Sequence, residues 1–280
     1  MTAVRPAVPA DIPAIAAILA ANDEPVDWPD VGGWPYVEHL LARARVAVAE
    51  VDGDVVGFAG AIDVGDARFL TDLFVDPTRQ EHGIGRALLE VAMDGAAARM
   101  TNSSADPRAL GLYIRSGMRP WWPLLYLVGE VASRGRPPEG IDWSPASTEE
   151  TARWSRTWTG ADRTADFRYY ASLPDAAGFV VTDGGAVAAV GWARRARREA
   201  GRSLDHVSIA PDADPVRAAL GAWHAAAPSG ERLMGCVPGP HPIVPVLLDA
   251  TIRIADRDQW CASDPDLIDL VRLLPSPSFL

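Results

Sequence analysis

The stretch Leu73-Phe74-Val75-Asp76-Pro77-Thr78-Arg79-Gln80-Glu81-His82-Gly83-Ile84-Gly85-Arg86-Ala87-Leu88-Leu89 joins a strand to a helix through a loop that carries glycines. Backbone N–H groups at a helix start have no partner within the helix, and the helix dipole adds partial positive charge there. Glycines let a phosphate approach that backbone closely. The stretch reads as an anion cradle built from main chain. A Gly-x-Gly ahead of a helix is also what a tight strand-to-helix connection looks like, so the surrounding sequence has to decide.

Upstream, residues 2–6 read as a short strand and Pro9-Ala10-Asp11 as a helix start. Ile12, Ile15, Ile18 and Leu19 form the stripe of an amphipathic helix. Residues 22–35, NDEPVDWPDVGGWP, are too broken for regular structure, and YVEHLLARAR makes a second helix. The runs RVAVAEV and DVVGFAGAIDV are joined by Asp52-Gly53, a strong hairpin signal. ARFLTDLFV is a third strand. Downstream lie a helix in GIGRALLEVAMDGAA, a short strand at 99–102, a helix in PRALGLYIRSG and a strand in MRPWWPLLYLVGEV. The predicted order is β-α-α-β-β-β-α-β-α-β.

Residues 133–140, SRGRPPEG, have the Pro, Gly and charge content of a linker. The same order then recurs. Asp183-Gly184-Gly185 joins GFVV to AVAAVGWARR, and SLDHVSIAPDADPVRAALGAWHAA repeats the strand–Pro–helix plan. ERLMGCV, PIVPVLLDA and IRIADRDQWCA supply a strand, a helix and a strand. Asp183 follows Asp52 by 131 residues, and Ile209 follows Val75 by 134. This pattern predicts a diverged internal duplication; the alternative is two unrelated α/β segments sharing a generic alternation. The length of 280 residues suits two domains.

Composition removes whole chemistries. The 37 acidic residues outnumber 26 basic ones, for a net charge of −11, so the surface repels phosphate backbones and a nucleic-acid partner is not expected. All 26 basic residues are Arg. A biased base composition suffices to explain the missing Lys, but the exclusions hold whatever its cause. Without Lys there is no Walker A loop, no Schiff-base or pyridoxal-phosphate enzyme, and no Ser-Lys nucleophile pair. Cys236 and Cys261 form no CxxC pair, and the five His are scattered, so neither a disulfide scaffold nor a metal site is expected. The longest N-terminal apolar run, residues 14–21, is too short to span a bilayer, and no basic segment precedes it. The expectation is a cytoplasmic protein with no membrane partner.

Gln80-x-x-Gly83-x-Gly85, after a strand ending Val75-x-Pro77 and inside this element order, resembles the GNAT superfamily of N-acetyltransferases. A second, independent stretch, Asp106 to Met118, is similar to that family's closing signature, N-x-x-A-x-x-L-Y-x-x-x-G-F. Ala109, Leu112, Tyr113 and Gly117 match; Asp106 and Met118 replace the usual Asn and Phe. The opening VRPAVPADIPAI fits the family's first strand and helix. The resemblance covers about residues 2–131. It implies an α/β (α+β) protein of two GNAT-like domains, each a mixed, mostly antiparallel twisted sheet flanked by helices. The domains are expected at 1–132 (acetyl-CoA-binding and catalytic) and 141–280 (degenerate), with the linker at 133–140.

The resemblance also implies roles. Gln80, Glu81, His82, Gly83, Ile84, Gly85 and Arg86 form the pyrophosphate loop for acetyl-CoA. Leu73, Phe74 and Val75, at a bulged strand end, pair with the pantetheine arm and offer a backbone donor to the developing oxyanion. Tyr113 becomes the acid that protonates the departing thiolate; a helix-face aromatic packing on the sheet is the other reading. Asp72 is the best candidate for the base that deprotonates the amine, against an ordinary solvent-facing strand residue. Glu38 and His39 are further candidates. Trp28, Trp34 and Tyr36, beside Asp23, Glu24, Asp27 and Asp30, suit an amine with an apolar body, or else form a surface loop packed on the second domain.

In the second half the matching loop is Ala210-Pro211-Asp212-Ala213-Asp214-Pro215-Val216, with two carboxylates and no glycine. It is expected to repel pyrophosphate, leaving that domain to cover the acceptor site, close a sheet edge or build a homodimer. The Arg194, Arg195, Arg197 and Arg198 cluster reads as a solvated strand end or as a site for an anionic partner. The expected function is acetyl-CoA-dependent, metal-free transfer of an acetyl group to a primary amine of a small molecule, by direct attack in a ternary complex. A non-catalytic acyl-CoA-binding sensor or scaffold is the alternative.

Overall fold

Asp52 and Gly53 both adopt positive φ (54° and 92°), the geometry of a tight primed turn between two antiparallel strands. Gly184 and Gly185 do the same (58° and 87°) in the second half, 132 residues on. The computed structural model describes residues 2–24, 26, 28, 31–80, 82–104, 106–130, 137–197, 200–250 and 252–280. The first half runs β1 (Ala3–Pro6), α1 (Ile12–Ala21), α2 (Pro35–Arg43), β2 (Arg45–Val51), β3 (Asp54–Val64), β4 (Ala67–Val75), α3 (Ile84–Ala92), β5 (Ala98–Ser103), α4 (Pro107–Arg115) and β6 (Arg119–Glu130). The second runs β7 (Ile141–Ala146), α5 (Thr148–Thr159), α6 (Thr164–Ala171), β8 (Ala177–Asp183), β9 (Ala186–Arg195), β10 (Arg202–Ile209), α7 (Pro215–Ala226), β11 (Arg232–Pro238), α8 (Ile243–Leu248) and β12 (Arg253–Ala262), then a short β13 (Leu273–Leu274). Through β12 the two halves share one element order, the one the sequence pattern predicts.

The chain divides into two compact units. The first holds Met1–Asn102, Pro107–Arg119 and Cys261–Leu267; the second holds Ser103–Asp106, Pro120–Trp260 and Ile268–Leu280. This division does not follow the sequence halves. In the second unit β6 pairs antiparallel with β11, although it belongs to the first half of the chain. In the first unit the Ser263 N–H donates to the Arg99 carbonyl (2.8 Å), placing a second-half segment beside the start of β5. A strand edge accepts whichever complementary backbone reaches it, and hydropathy says nothing of chain order. Of the linker at 133–140, residues 133–136 lie outside the described residues.

The first unit's sheet is ordered β1-β2-β3-β4-β5, antiparallel except for the parallel pair β4–β5. Its core joins Ala49, Ala59, Leu70, Ile84, Leu88, Tyr113, Met118 and Cys261, and places α3 and α4 on one face. The second unit repeats the plan, with β11-β10-β9-β8-β7 in order and β10–β11 as the parallel pair. Its core centres on Trp223, Val181, Val207, Leu233 and Leu274. Both cysteines are free thiols, each buried.

Candidate active site

Strand β4 carries a bulge. Asp72 pairs with Gly60 and Leu70 with Ala61, so Thr71 is an extra residue. The parallel ladder to β5 runs from Ala67 to Leu70 and stops at that bulge. Thr101 Oγ1 closes it, donating to the Leu70 carbonyl (3.0 Å). Beyond the bulge no ladder pair joins residues 71–75 to β5 among the described residues. A splayed strand edge offers unpaired main chain to an extended ligand.

Asp72 sits at this splay. Its alternation with Leu73 sends it to the face opposite α3 and α4, where Tyr36 of α2 donates from its hydroxyl to Oδ2 at 2.7 Å. Asp72 is only 6% exposed, so it is not a solvent-facing strand residue. Burial pushes its carboxyl up to about 6; the Tyr36 hydrogen bond pulls the other way, and the charge of Glu24 adds to the rise. A carboxylate held near neutrality can take a proton from an ammonium group without being a spent, fully solvated anion.

The loop after β4 is tied from within. Asn22 Nδ2 and Gln80 Nε2 both donate to the Val75 carbonyl (3.2 Å each). Gln80 therefore shapes the loop with its side chain. Asn22 went unread in the sequence because nothing local marks a residue that acts 53 positions away. Gly83, the residue before α3, has φ +78°, and no side chain caps the helix from there. A Cβ at Gly83 would meet nothing within 4 Å, so the space over this helix start is open. Gly85 sits in ordinary contact with Val75 and Leu112. Ile84 is buried, His82 Nδ1 lies 2.7 Å from the Gln80 carbonyl, and Arg86 is exposed and paired with Glu90 (2.8 Å). Glu81 lies outside the described residues. An open groove of about 490 Å³ runs between α3 and α4, with Arg86, Arg99 and Arg115 on its walls.

Tyr113 lies buried in the core cluster on the α3/α4 face, the cluster against which Leu73 and Val75 pack. Asp72 and Tyr113 thus occupy opposite faces of the sheet. Phe74 stacks on Phe58 with ring centroids 5.9 Å apart. Of the aromatic acceptor candidates, Trp28 is buried, Trp34 is half-buried, and Tyr36 is engaged with Asp72. Glu38 accepts the Trp34 N–H (3.3 Å) at the start of α2 and is exposed, while His39 is half-buried. Asp27 and Asp30 lie outside the described residues. Among the described residues no group of three or more His, Cys, Asp or Glu is placed to hold a metal ion, and no helix is long and apolar enough to cross a membrane.

Residues 42–119 match the family model of an acetyltransferase (GNAT) domain, and that span contains the bulge, the glycine loop and α4. Residues 42–119 carry this GNAT domain. No curated protein sequence matches the chain. Solved structures repeat the fold over the whole chain. A protein from Pyrococcus horikoshii assigned as an acetyltransferase has a TM-score of 0.70 at 14% identity, with 100% of this chain and 96% of that one covered. A GCN5-related N-acetyltransferase from Anabaena variabilis has a TM-score of 0.65 at 12% identity, covering 97% and 73%. A tandem GNAT protein from the clavulanic acid biosynthesis pathway has a TM-score of 0.60 at 16% identity, covering 95% and 99%. At such identities the likeness speaks to the fold alone, a mixed α/β fold with a mostly antiparallel sheet flanked by helices.

Proposed function

We propose that this protein is an acetyl-CoA-dependent N-acetyltransferase that acetylates a primary amine of a small molecule by direct attack, with its active site in the first unit. The observation that carries this reading is the buried Asp72–Tyr36 pair at the splay where β4 leaves β5, one loop ahead of the uncapped start of α3. Acetyl-CoA fits the residues present. The open space at Gly83 and the first-turn N–H groups of α3, which no side chain caps, suit a diphosphate, and the edge of residues 73–75 beyond the end of the β5 ladder suits an amide-bearing arm.

When bound, acetyl-CoA supplies an acetyl thioester. The chain's own residues do the rest. Main-chain N–H at residues 73–75 orients the thioester and donates to its carbonyl oxygen. Asp72, on one face of the sheet, takes a proton from the incoming ammonium group so that a neutral amine attacks. Tyr113, on the other face, returns a proton to the sulfur that leaves. Base and acid on opposite sides of the splay match a reaction whose nucleophile arrives on one side of the carbonyl while the thiolate departs on the other. The two buried free thiols suit a reducing cytoplasm.

A thiol-release assay tests this reading: acetyl-CoA is mixed with the protein and a panel of amines, amino acids and aminoglycosides. Free coenzyme A appearing only with an amine supports the enzyme. Thermal stabilisation by acetyl-CoA with no release for any amine would instead support the sensor or scaffold.

A further inference from the structure

The second unit repeats the bulge of the first. In β10, Leu204 pairs with Ala193 and His206 with Trp192, so Asp205 is the extra residue, 134 positions after Thr71. The parallel ladder to β11 ends at Leu204, as the ladder from β4 to β5 ends at Leu70. Beyond the bulge the two units part. In the first, no strand pairs with residues 71–75 on the side toward β5 among the described residues. In the second, β13 lies antiparallel on that edge, with Leu274 opposite Val207 and Leu273 opposite Ser208, and the Ile209 N–H donates to the Arg272 carbonyl (2.9 Å).

We propose that the second unit is a coenzyme cleft permanently filled by the chain's own C-terminal segment, residues 271–280, which acts as an internal ligand in place of acetyl-CoA. This rests on the reading above that the splay beside a bulged strand takes the pantetheine arm. Three features of the cleft make the occupancy specific. The first-turn N–H groups of α7, those of Val216 and Arg217, are both taken by the Asp214 carboxylate at 2.9 Å, so no donor there is left for a diphosphate. The Arg272 guanidinium donates to the carbonyls of Ala210 (2.9 Å) and Ala213 (2.6 Å), so the loop turns acceptors toward a cation, the reverse of an anion cradle. The rest of the segment is anchored: Leu274, Phe279 and Leu280 are buried, Arg163 donates to the Phe279 carbonyl (3.2 Å), and the Ser276 hydroxyl receives the N–H groups of Ser278 and Phe279. His241, buried beside it, holds the Val271 carbonyl through Nε2 (3.1 Å).

Hydrogen exchange on the intact protein tests this without any variant. The Ile209 amide is expected to exchange at least about 100-fold more slowly than an unstructured peptide amide. Exchange of Ile209 at the unstructured rate would overturn the proposal. A chain ending at Asp269 gives the second readout. Its melting temperature is expected to fall by about 5 °C or more, and a synthetic peptide of residues 270–280 should restore it where a scrambled peptide does not. An unchanged melting temperature in the shortened chain, or binding of two acetyl-CoA per intact chain, would also overturn it. The exchange and peptide readouts use no coenzyme, so they stand or fall apart from the acetyltransferase reading.

Discussion

The Tyr36 hydroxyl donates a 2.7 Å hydrogen bond to Asp72 Oδ2 across 36 residues of sequence, joining α2 to the bulge of β4. A hydrogen bond to the ionised carboxylate favours ionisation, while burial, the larger effect, opposes it. The pair therefore sets a carboxyl whose pKa stands near 6. In Tyr36→Phe the opposing hydrogen bond is gone and the pKa of Asp72 rises further. The ascending limb of kcat/KM against pH is expected to move up by about one unit. Activity should fall most near pH 6 and recover toward pH 8. An unmoved limb would separate Asp72 from the proton transfer.

Asp72 also couples to stability. Its native pKa lies above the unfolded value of 3.8, so the native state binds the proton more tightly than the unfolded chain. Stability is fullest below about pH 4 and is lost as pH rises through about 6. The cost above pH 6 is on the order of 3 kcal/mol. Asp72→Asn removes the titration. It should raise the melting temperature at pH 8, with the gain shrinking toward pH 4, while lowering turnover at least about 100-fold. Calorimetric melts at several pH values, alongside thiol release, read both effects.

Tyr113→Phe leaves the ring in the core cluster and removes only the hydroxyl. Thiol release is expected to slow by about 100-fold with little change in KM for acetyl-CoA. Full activity would remove Tyr113 from the acid role and return it to packing.

Gly83 and Gly85 should respond differently to Ala. At Gly83, φ +78° makes any Cβ costly by about 1 kcal/mol, although the space itself is open. Gly83→Ala is expected to weaken acetyl-CoA binding about tenfold by disturbing the helix start. At Gly85 the nearest atoms to a Cβ lie 3.8 and 3.9 Å away, so Gly85→Ala should fold and melt like the native protein. Titration calorimetry with acetyl-CoA compares the two.

The second unit should lose stability in acid. Burial holds the His241 imidazole down at about 4, and the Ile243 N–H donates to its Nδ1 (3.1 Å), which fits the neutral ring. A base with a depressed native pKa stabilises the fold above 6.5 and loses that contribution as pH falls toward 4, by on the order of 3 kcal/mol. His241→Asn should be destabilising at pH 7 and approach the native protein in stability near pH 4, as followed by melting temperature.

Several elements of the candidate site carry local marks in the chain. The glycine spacing after Val75 marked the loop, Asp52-Gly53 marked a hairpin, and the likeness of residues 106–118 to a family signature pointed to Tyr113. These are local signals, carried by φ preference and by periodicity over a few residues. Asp72 was named from its place in the strand, but its burial, its partner and its pKa were not readable there. They depend on α2 folding over the sheet, which brings a residue 36 positions away into hydrogen-bond reach.

The sequence by itself determined the element order, its recurrence through β12, the lack of any Lys-based chemistry and the position of the glycine loop. Each follows from backbone propensity or composition, which need no long-range contact. Tertiary structure alone decided that β6 pairs with β11, that Tyr36 faces Asp72, and that residues 272–274 lie on the edge of β10. An open strand edge is specified by where a ladder stops, and what fills it depends on which distant segment can reach it with matching hydrogen bonds and apolar side chains.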